Sequence, residues 1–412
     1  MGKILIIGVV VFLVIILLLV WMLLYARKKL LPQAEVKLTI NQEKELIVQP
    51  GSTLLSTLSE NKIFLPSACG GGGTCGLCKC QVTEGGGEVL PTEKPHLSRK
   101  EQMNNYHLGC QTKVRQDMKV EIPEEIFGIK KWECEVVSND NVATFIKEFI
   151  VKLPEGERLN FRSGGYIQID VPKCEVDYKN IEVLKEYQED WDKMKIWDLK
   201  MKNPELVYRA YSMANHPAEG NIIMLNIRIA TPPFDRKTGG FKNINPGICS
   251  SYIWSLKPGD KITISGPYGE FFIKDTQKEM MFVGGGAGMA PMRSHIFDQF
   301  ITKNTNRKAT FWYGGRSLRE LFYTEQFKQI EKQHENFKFN IALSEPKKED
   351  NWEGYVGFIH QVIFDNYLNN HPEPEEIEYY LCGPKLMTDA VVAMLDKLGV
   401  PPENIMFDDF GN

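Results

Sequence analysis

The chain has 412 residues, enough for two or three domains. Its 43% hydrophobic and 25% charged residues are ordinary for a globular protein, and a net charge of −4 leaves no bulk basic field for nucleic acid. Nine cysteines, mostly scattered singly, argue against a disulfide framework and for a reducing compartment with specialised thiols.

From Ile4 to Tyr25 the sequence ILIIGVVVFLVIILLLVWMLLY carries no charge. At about 1.5 Å per residue a helix here reaches roughly 33 Å, enough to cross a bilayer core. A cleavable signal peptide would have a shorter apolar region and a small-residue cleavage site. The run therefore reads as a retained transmembrane anchor, residues 1–26, with Trp21 and Tyr25 near one interface. Lys3 precedes it; Arg27, Lys28 and Lys29 follow. The positive-inside rule then puts the N-terminus outside and everything beyond residue 26 in the cytoplasm.

After a linker over 26–34, EVKLTINQEKELIVQPG predicts two strands with a turn near Asn41–Lys44. STLLSTLSENKI predicts a helix capped by Ser52 or Thr53. A strand, a glycine turn, a short helix and another strand follow, so that 33–128 form an α+β module. Over 130–275, KWECEVVSNDNVATFIKEFIVKL, YIQIDVP, IIMLNIRIA and KITISGPYG predict an antiparallel barrel. An insertion, Lys173 to Glu205, interrupts it and reads as partly helical and solvated, with no chemical role. Over 276–412, strand–loop–helix units imply a parallel sheet with helices on its faces.

Within the first module, Cys69, Cys75, Cys78 and Cys110 are candidate metal ligands in the pattern C-x5-C-x2-C, with 31 residues between the third and the fourth. A [2Fe–2S] cluster takes four thiolates, two per iron, and glycines such as Gly70 to Gly73 let backbone curl close around it. Zinc is the alternative, although its sites come as two short-spaced pairs or a pair with histidines; Cys110 stands alone, with His107 near it. Cys80 reads as a small buried residue. The stretch PSACGGGGTCGLC…HLGCQ resembles [2Fe–2S] ferredoxins of the β-grasp fold, with one residue more in the first loop than the plant-type spacing.

RAYSMAN, Arg209 to Asn215, resembles the R-x-Y-S motif of the ferredoxin–NADP reductase superfamily. The resemblance implies FAD. It gives Arg209 the pyrophosphate, Tyr211 the isoalloxazine face and Ser212 a hydrogen bond to N5, the hydride acceptor; Asn215 is grouped with them. In PGICSSYIW, Gly247, Ser250 and Ser251 match the helix start that in that family meets the pyrophosphate through backbone N–H groups, an anion site in physical terms. FVGGGAGMAP follows an apolar strand and opens a helix, the context of a dinucleotide loop, with G-x-G-x-x-P at Gly286, Gly288 and Pro291. It resembles the nicotinamide half of the same superfamily, as do FWYGGRS and LCGP. Cys382 matches the thiol near the nicotinamide there, its alternative being a buried inert cysteine. Arg316 faces an adenine ribose phosphate or caps its strand. Phe410 is the candidate terminal aromatic over the flavin, or a packing aromatic at a chain end.

In combination the chain resembles the F subunits of bacterial sodium-translocating NADH:quinone oxidoreductases. The resemblance implies a multidomain protein: transmembrane helix, β-grasp [2Fe–2S] ferredoxin, antiparallel β-barrel FAD domain and α/β parallel-sheet nicotinamide-binding domain. It implies hydride from NADH to FAD, single electrons to the cluster, and onward transfer through other membrane subunits to quinone. The apolar span itself offers no charged residue for a sodium path. The competing readings are the reductase component of a diiron monooxygenase, which would be soluble, and a membrane-tethered zinc or scaffold protein without catalysis.

Overall fold

A helix, α1, occupies Gly2–Leu30 in the computed structural model, which describes residues 2–30, 35–235 and 239–408, the side chains of 2–7, 23–24 and 26–30 aside. Among the described residues, no helix is long and apolar enough to cross a membrane. The described side chains from 8 to 22 are exposed throughout. Phe410 lies outside the described residues.

The chain divides into two units, Met1–Ile129 and Lys130–Asn412. In the first, the alternation of apolar and polar residues makes β1 (Val36–Ile40), with Val36, Leu38 and Ile40 buried. It pairs antiparallel with β2 (Lys44–Val48). Next comes α2 (Leu54–Glu60), capped by the Thr53 hydroxyl, which accepts from Ser56 N at 3.1 Å. The strands β3 (Lys79–Glu84), β4 (Tyr106–Leu108) and β5 (Met118–Glu121) complete a sheet of order β2-β1-β5-β3-β4, in which β1 and β5 are parallel. Between β3 and β4, α3 (Arg99–Met103) opens with a capping box of Ser98 and Glu101.

The second unit opens with the long hairpin β6 (Lys130–Ala143) and β7 (Ile146–Lys152). Then come β8 (Tyr166–Val171), a ribbon of β9 (Cys174–Asp177) and β10 (Lys200–Asn203) with α4 (Lys185–Met194) between them, β11 (Val207–Ser212) and β12 (Ile222–Arg228). A small hairpin, β13 (Phe234–Asp235) and β14 (Gly240–Phe241), leads to α5 (Ile248–Ser255) and β15 (Lys261–Tyr268). The antiparallel order is β11-β8-β15-β6-β7-β12. A bridge between Met213 and Leu225, with Ala214 N donating to Met224 O at 2.7 Å, joins the two edges and closes the barrel.

The insertion over Lys173–Glu205 is helical in part and solvated on its outer face, as expected, but its inner face belongs to the barrel core. Tyr178, Trp191, Ile196 and Met201 are fully buried in the barrel core. Tyr187 and Trp191, one turn apart on α4, face inward. Trp191 stacks on Trp254 of α5 at 5.4 Å and donates its indole N–H to Thr144 O at 3.0 Å. Polar residues dominate the segment because its outer face is wet; the few aromatics carry the burial.

The remaining elements alternate: β16 (Met280–Gly285), α6 (Met289–Phe297), β17 (Ala309–Gly315), α7 (Thr324–Gln333), β18 (Phe337–Leu343), β19 (Tyr355–Val356), α8 (Ile359–Asn366), β20 (Glu378–Cys382), α9 (Lys385–Lys397) and β21 (Ile405–Asp408). The strands form one parallel sheet of order β19-β18-β17-β16-β20-β21. The order reverses beside β16, between β17 and β20, and in such sheets ligands bind where it reverses, at the carboxyl ends of the strands.

Candidate active site

The cysteine loop lies between α2 and β3, and Gly109 N donates to Cys78 O at 2.8 Å, which ties the start of β3 to the segment of Cys110. The four thiols stand as two pairs. Cys75 Sγ is 3.3 Å from Cys69 Sγ, and Cys78 is hydrogen-bonded to Cys110. The bond from Cys75 holds the Cys69 thiol down to about 3 and pushes Cys75 up. The bond from Cys78 likewise holds Cys110 at about 7, while the same bond and then burial push Cys78 up. Among the described residues no group of three or more His, Cys, Asp or Glu side chains is arranged to hold a single metal ion. Two pairs suit a binuclear cluster, with two thiolates per iron, better than four ligands converging on one zinc. Gly73 has φ of 77°, and a Cβ there would press on the Gln111 side chain, whose amide reaches Cys110 Sγ at 3.6 Å. Cys80 is buried on β3, its thiol pushed up to about 12 by burial. His107 is paired with the buried Glu93 at 3.4 Å.

On β11, Arg209 and Tyr211 share one side of the strand and Ser212 closes it. Tyr211 is partly buried against the barrel core, hydrogen-bonded to Cys249 of α5. Arg209 donates to Tyr208 O at 2.7 Å. The side chains of three expected cofactor residues are tied into the fold itself. Ser250 and Ser251 donate to Gly247 O at 3.2 and 2.6 Å; Ser250 accepts from Ala230 N, and Ser251 meets the Tyr178 hydroxyl at 2.7 Å. Asn215 donates to Ile222 O and accepts from Met224 N, both at 2.9 Å, which fixes the barrel closure. What α5 offers an anion is therefore its backbone: the first turn of a helix has N–H groups without intrahelical partners. Gly247, its cap, has no room for a Cβ against Ala230 and Ser250.

In the parallel sheet, Gly286 has φ of 57° and Gly288 lies directly on the end of β20, where a Cβ would run into the Cys382 carbonyl. Pro291 sits in the first turn of α6, where no N–H is needed. Cys382 is fully buried, opposite Asp408 in the β20–β21 ladder. Arg316, just past β17, pairs with Glu345 at 2.7 Å in an exposed bridge. Sequence reasoning missed Asp408. Its Oδ2 accepts from Ser212 Oγ at 2.6 Å, so that Ser212, Asp408 and the strand end of Cys382 meet at one crevice.

A barrel strand ending at the mouth of a parallel sheet, with a glycine loop at that sheet's switch point, defines a flavin- and nicotinamide-dependent reductase. Residues 38–115 match the 2Fe-2S iron-sulfur cluster binding domain family, 195–273 the oxidoreductase FAD-binding domain and 282–393 the oxidoreductase NAD-binding domain. The fold is shared with a cytochrome P450 reductase of Amycolatopsis, at TM-score 0.63 and 21% identity over 91% of this chain and 98% of that one. A ferredoxin reductase in carbazole 1,9a-dioxygenase is 25% identical at TM-score 0.58, over 92% and 98%. The F subunits of the Na(+)-translocating NADH-quinone reductases of Neisseria gonorrhoeae and Methylococcus capsulatus are 55% and 53% identical to this chain, each over 407 residues and 99% of both chains. The chain belongs to that family of F subunits.

Proposed function

We propose that this chain is the NADH-oxidising subunit of a membrane-bound, sodium-pumping NADH:quinone oxidoreductase, passing electrons from NADH through FAD and a [2Fe–2S] cluster to partner subunits and quinone. The observation that carries it is the Ser212–Asp408 bond beside the Gly286–Gly288 loop, in a chain that also carries the paired cysteines. When bound, the flavin supplies a hydride acceptor and the cluster a one-electron carrier.

The protein's own groups then divide the work. Arg209, the cap Gly247 and the backbone of α5 would hold the flavin pyrophosphate, while Tyr211 would supply a ring face and Ser212 a hydroxyl to the isoalloxazine. Asp408 orients the Ser212 hydroxyl. Gly286, Gly288 and Pro291 would let a dinucleotide pyrophosphate approach the start of α6, and Cys382 would be the thiol near the nicotinamide. Phe410 would be the aromatic that covers the flavin ring until nicotinamide displaces it. Cys69 and Cys75 would hold one iron and Cys78 and Cys110 the other. The domain limits follow: 33–128 for the cluster, 130–275 for FAD, 276–412 for NADH. Residues 1–26 anchor the chain in the inner membrane with the N-terminus outside, which keeps the cytoplasmic domains at high local concentration near a membrane acceptor.

The test is a visible spectrum of the purified chain before and after NADH under anaerobic conditions. Flavin and iron–sulfide bands that both bleach support the reading; a colourless protein or a flavin that ignores NADH refutes it.

A further inference from the structure

The helix that opens with the dinucleotide loop is clamped to the segment that continues the flavin strand. Arg293, two residues beyond Pro291, is buried. Its guanidinium donates to Ala214 O at 2.9 Å and forks onto Glu219 at 2.8 and 2.6 Å. Its Nε donates to Gln326 of α7 at 3.1 Å. The ring of Phe297 lies under it at 4.2 Å and that of Tyr323 at 5.2 Å. The next residue, Ser294, is fully buried and donates to Asn215 O at 2.8 Å. Glu219 is held in turn by His216 N at 2.9 Å. Two consecutive side chains of α6 thus grip residues 214, 215 and 219. Ala214 is only two positions from Ser212, and the side chain of Asn215 fastens the same segment to β12.

This is more than an ordinary domain contact. A planar guanidinium bonded in a fork fixes direction as well as distance, and the clamp stands between the two loops whose spacing sets the approach of nicotinamide to flavin. Hydride transfer oxidises NADH to NAD+ and reduces the flavin by the same two electrons, and it requires reacting atoms about 3–3.5 Å apart; a misplacement of about 1 Å costs on the order of a hundredfold in rate. From this geometry we infer that Arg293 and Ser294 are positioning residues for hydride transfer, setting the nicotinamide-to-flavin spacing through Ala214, Asn215 and Glu219. The inference rests on the function proposed above.

Arg293→Lys keeps the charge and loses the fork; Ser294→Ala removes a single bond and serves where the first variant fails to fold. In stopped flow on the full chain, the limiting rate of flavin reduction should fall tenfold or more, while FAD content and the Kd for NADH stay within about twofold. In the cofactor-free chain, amide hydrogen exchange should quicken together in residues 213–219 and 289–297. A limiting rate within twofold of wild type, or a loss that tracks weaker NADH or FAD binding, overturns the inference. So does exchange that quickens in one segment alone. A wild-type chain that NADH does not reduce refutes the proposed function instead, and the exchange result then decides the clamp by itself.

Discussion

Ser212 Oγ donates to Asp408 Oδ2 at 2.6 Å, joining the last residue of a barrel strand to the last residue of the sheet's edge strand β21. The bond leaves the serine oxygen's lone pairs directed away from the carboxylate and fixes where its oxygen stands. Asp408 is also opposite Cys382 in the ladder, so one carboxylate links both halves of the crevice.

Replacing that carboxylate should therefore slow hydride transfer without emptying the flavin site. For Asp408→Ala we expect flavin reduction by NADH to fall by ~10-fold or more, since the Ser212 oxygen is no longer fixed in place and a misplacement of about 1 Å costs ~10²-fold. FAD content should stay as in wild type. Stopped-flow absorbance with a flavin assay on the same sample checks both.

The cysteine assignment predicts a sharp contrast between neighbours. Alanine at Cys69, Cys75, Cys78 or Cys110 should abolish the electron paramagnetic resonance signal of the reduced cluster and leave FAD bound. Cys80→Ala should keep the signal, because that thiol is a buried packing group on β3.

A pH dependence should come from His295. The ring is fully buried, edge-on to Phe271 at 5.0 Å, and its nitrogens make no hydrogen bond of ordinary geometry. Burial, and then the charge of Lys303, pull the imidazole down to about 3, the Phe271 carbonyl working the other way. The folded value is depressed, so the unfolded chain binds the proton first. Stability is complete above the unfolded value near 6.5 and declines as pH falls toward the folded one. Between pH 7 and 5 this one group should remove about 2 kcal/mol. Denaturant melts should show that component vanish in His295→Phe, whose ring suits the aromatic surroundings.

Much of the site was legible because its motifs are contiguous. The glycines around Cys69–Cys78, the run from Arg209 to Ser212 and the loop from Gly286 to Pro291 each bring their chemistry within a few residues. Asp408 was not legible: its role exists only once β21 has paired with β20 and the barrel has met the sheet. Ser250 and Ser251 mark the helix start whose backbone N–H groups the motif points to; that their hydroxyls and the Asn215 amide are bonded within the fold is something no local pattern records. The insertion misled for a related reason. Its charges outnumber Tyr178 and Trp191, yet those two rings decide where it packs.

Removing residues 1–26 should release a soluble chain that still reduces ferricyanide with NADH, since every cofactor motif lies beyond them. Quinone reduction in membranes should be lost. Full membrane-bound activity in the truncated chain would end the anchor assignment.

The order of electron flow is tested most directly by anaerobic stopped flow on Cys69→Ala and Ser212→Ala side by side. In Cys69→Ala, NADH should bleach the flavin as fast as in wild type while turnover to quinone stops. In Ser212→Ala the flavin should bleach ~10²-fold more slowly, while electrons supplied chemically to the flavin still reach the cluster. Slow flavin bleaching in Cys69→Ala, with a normal rate in Ser212→Ala, would contradict the path from NADH through FAD to the cluster.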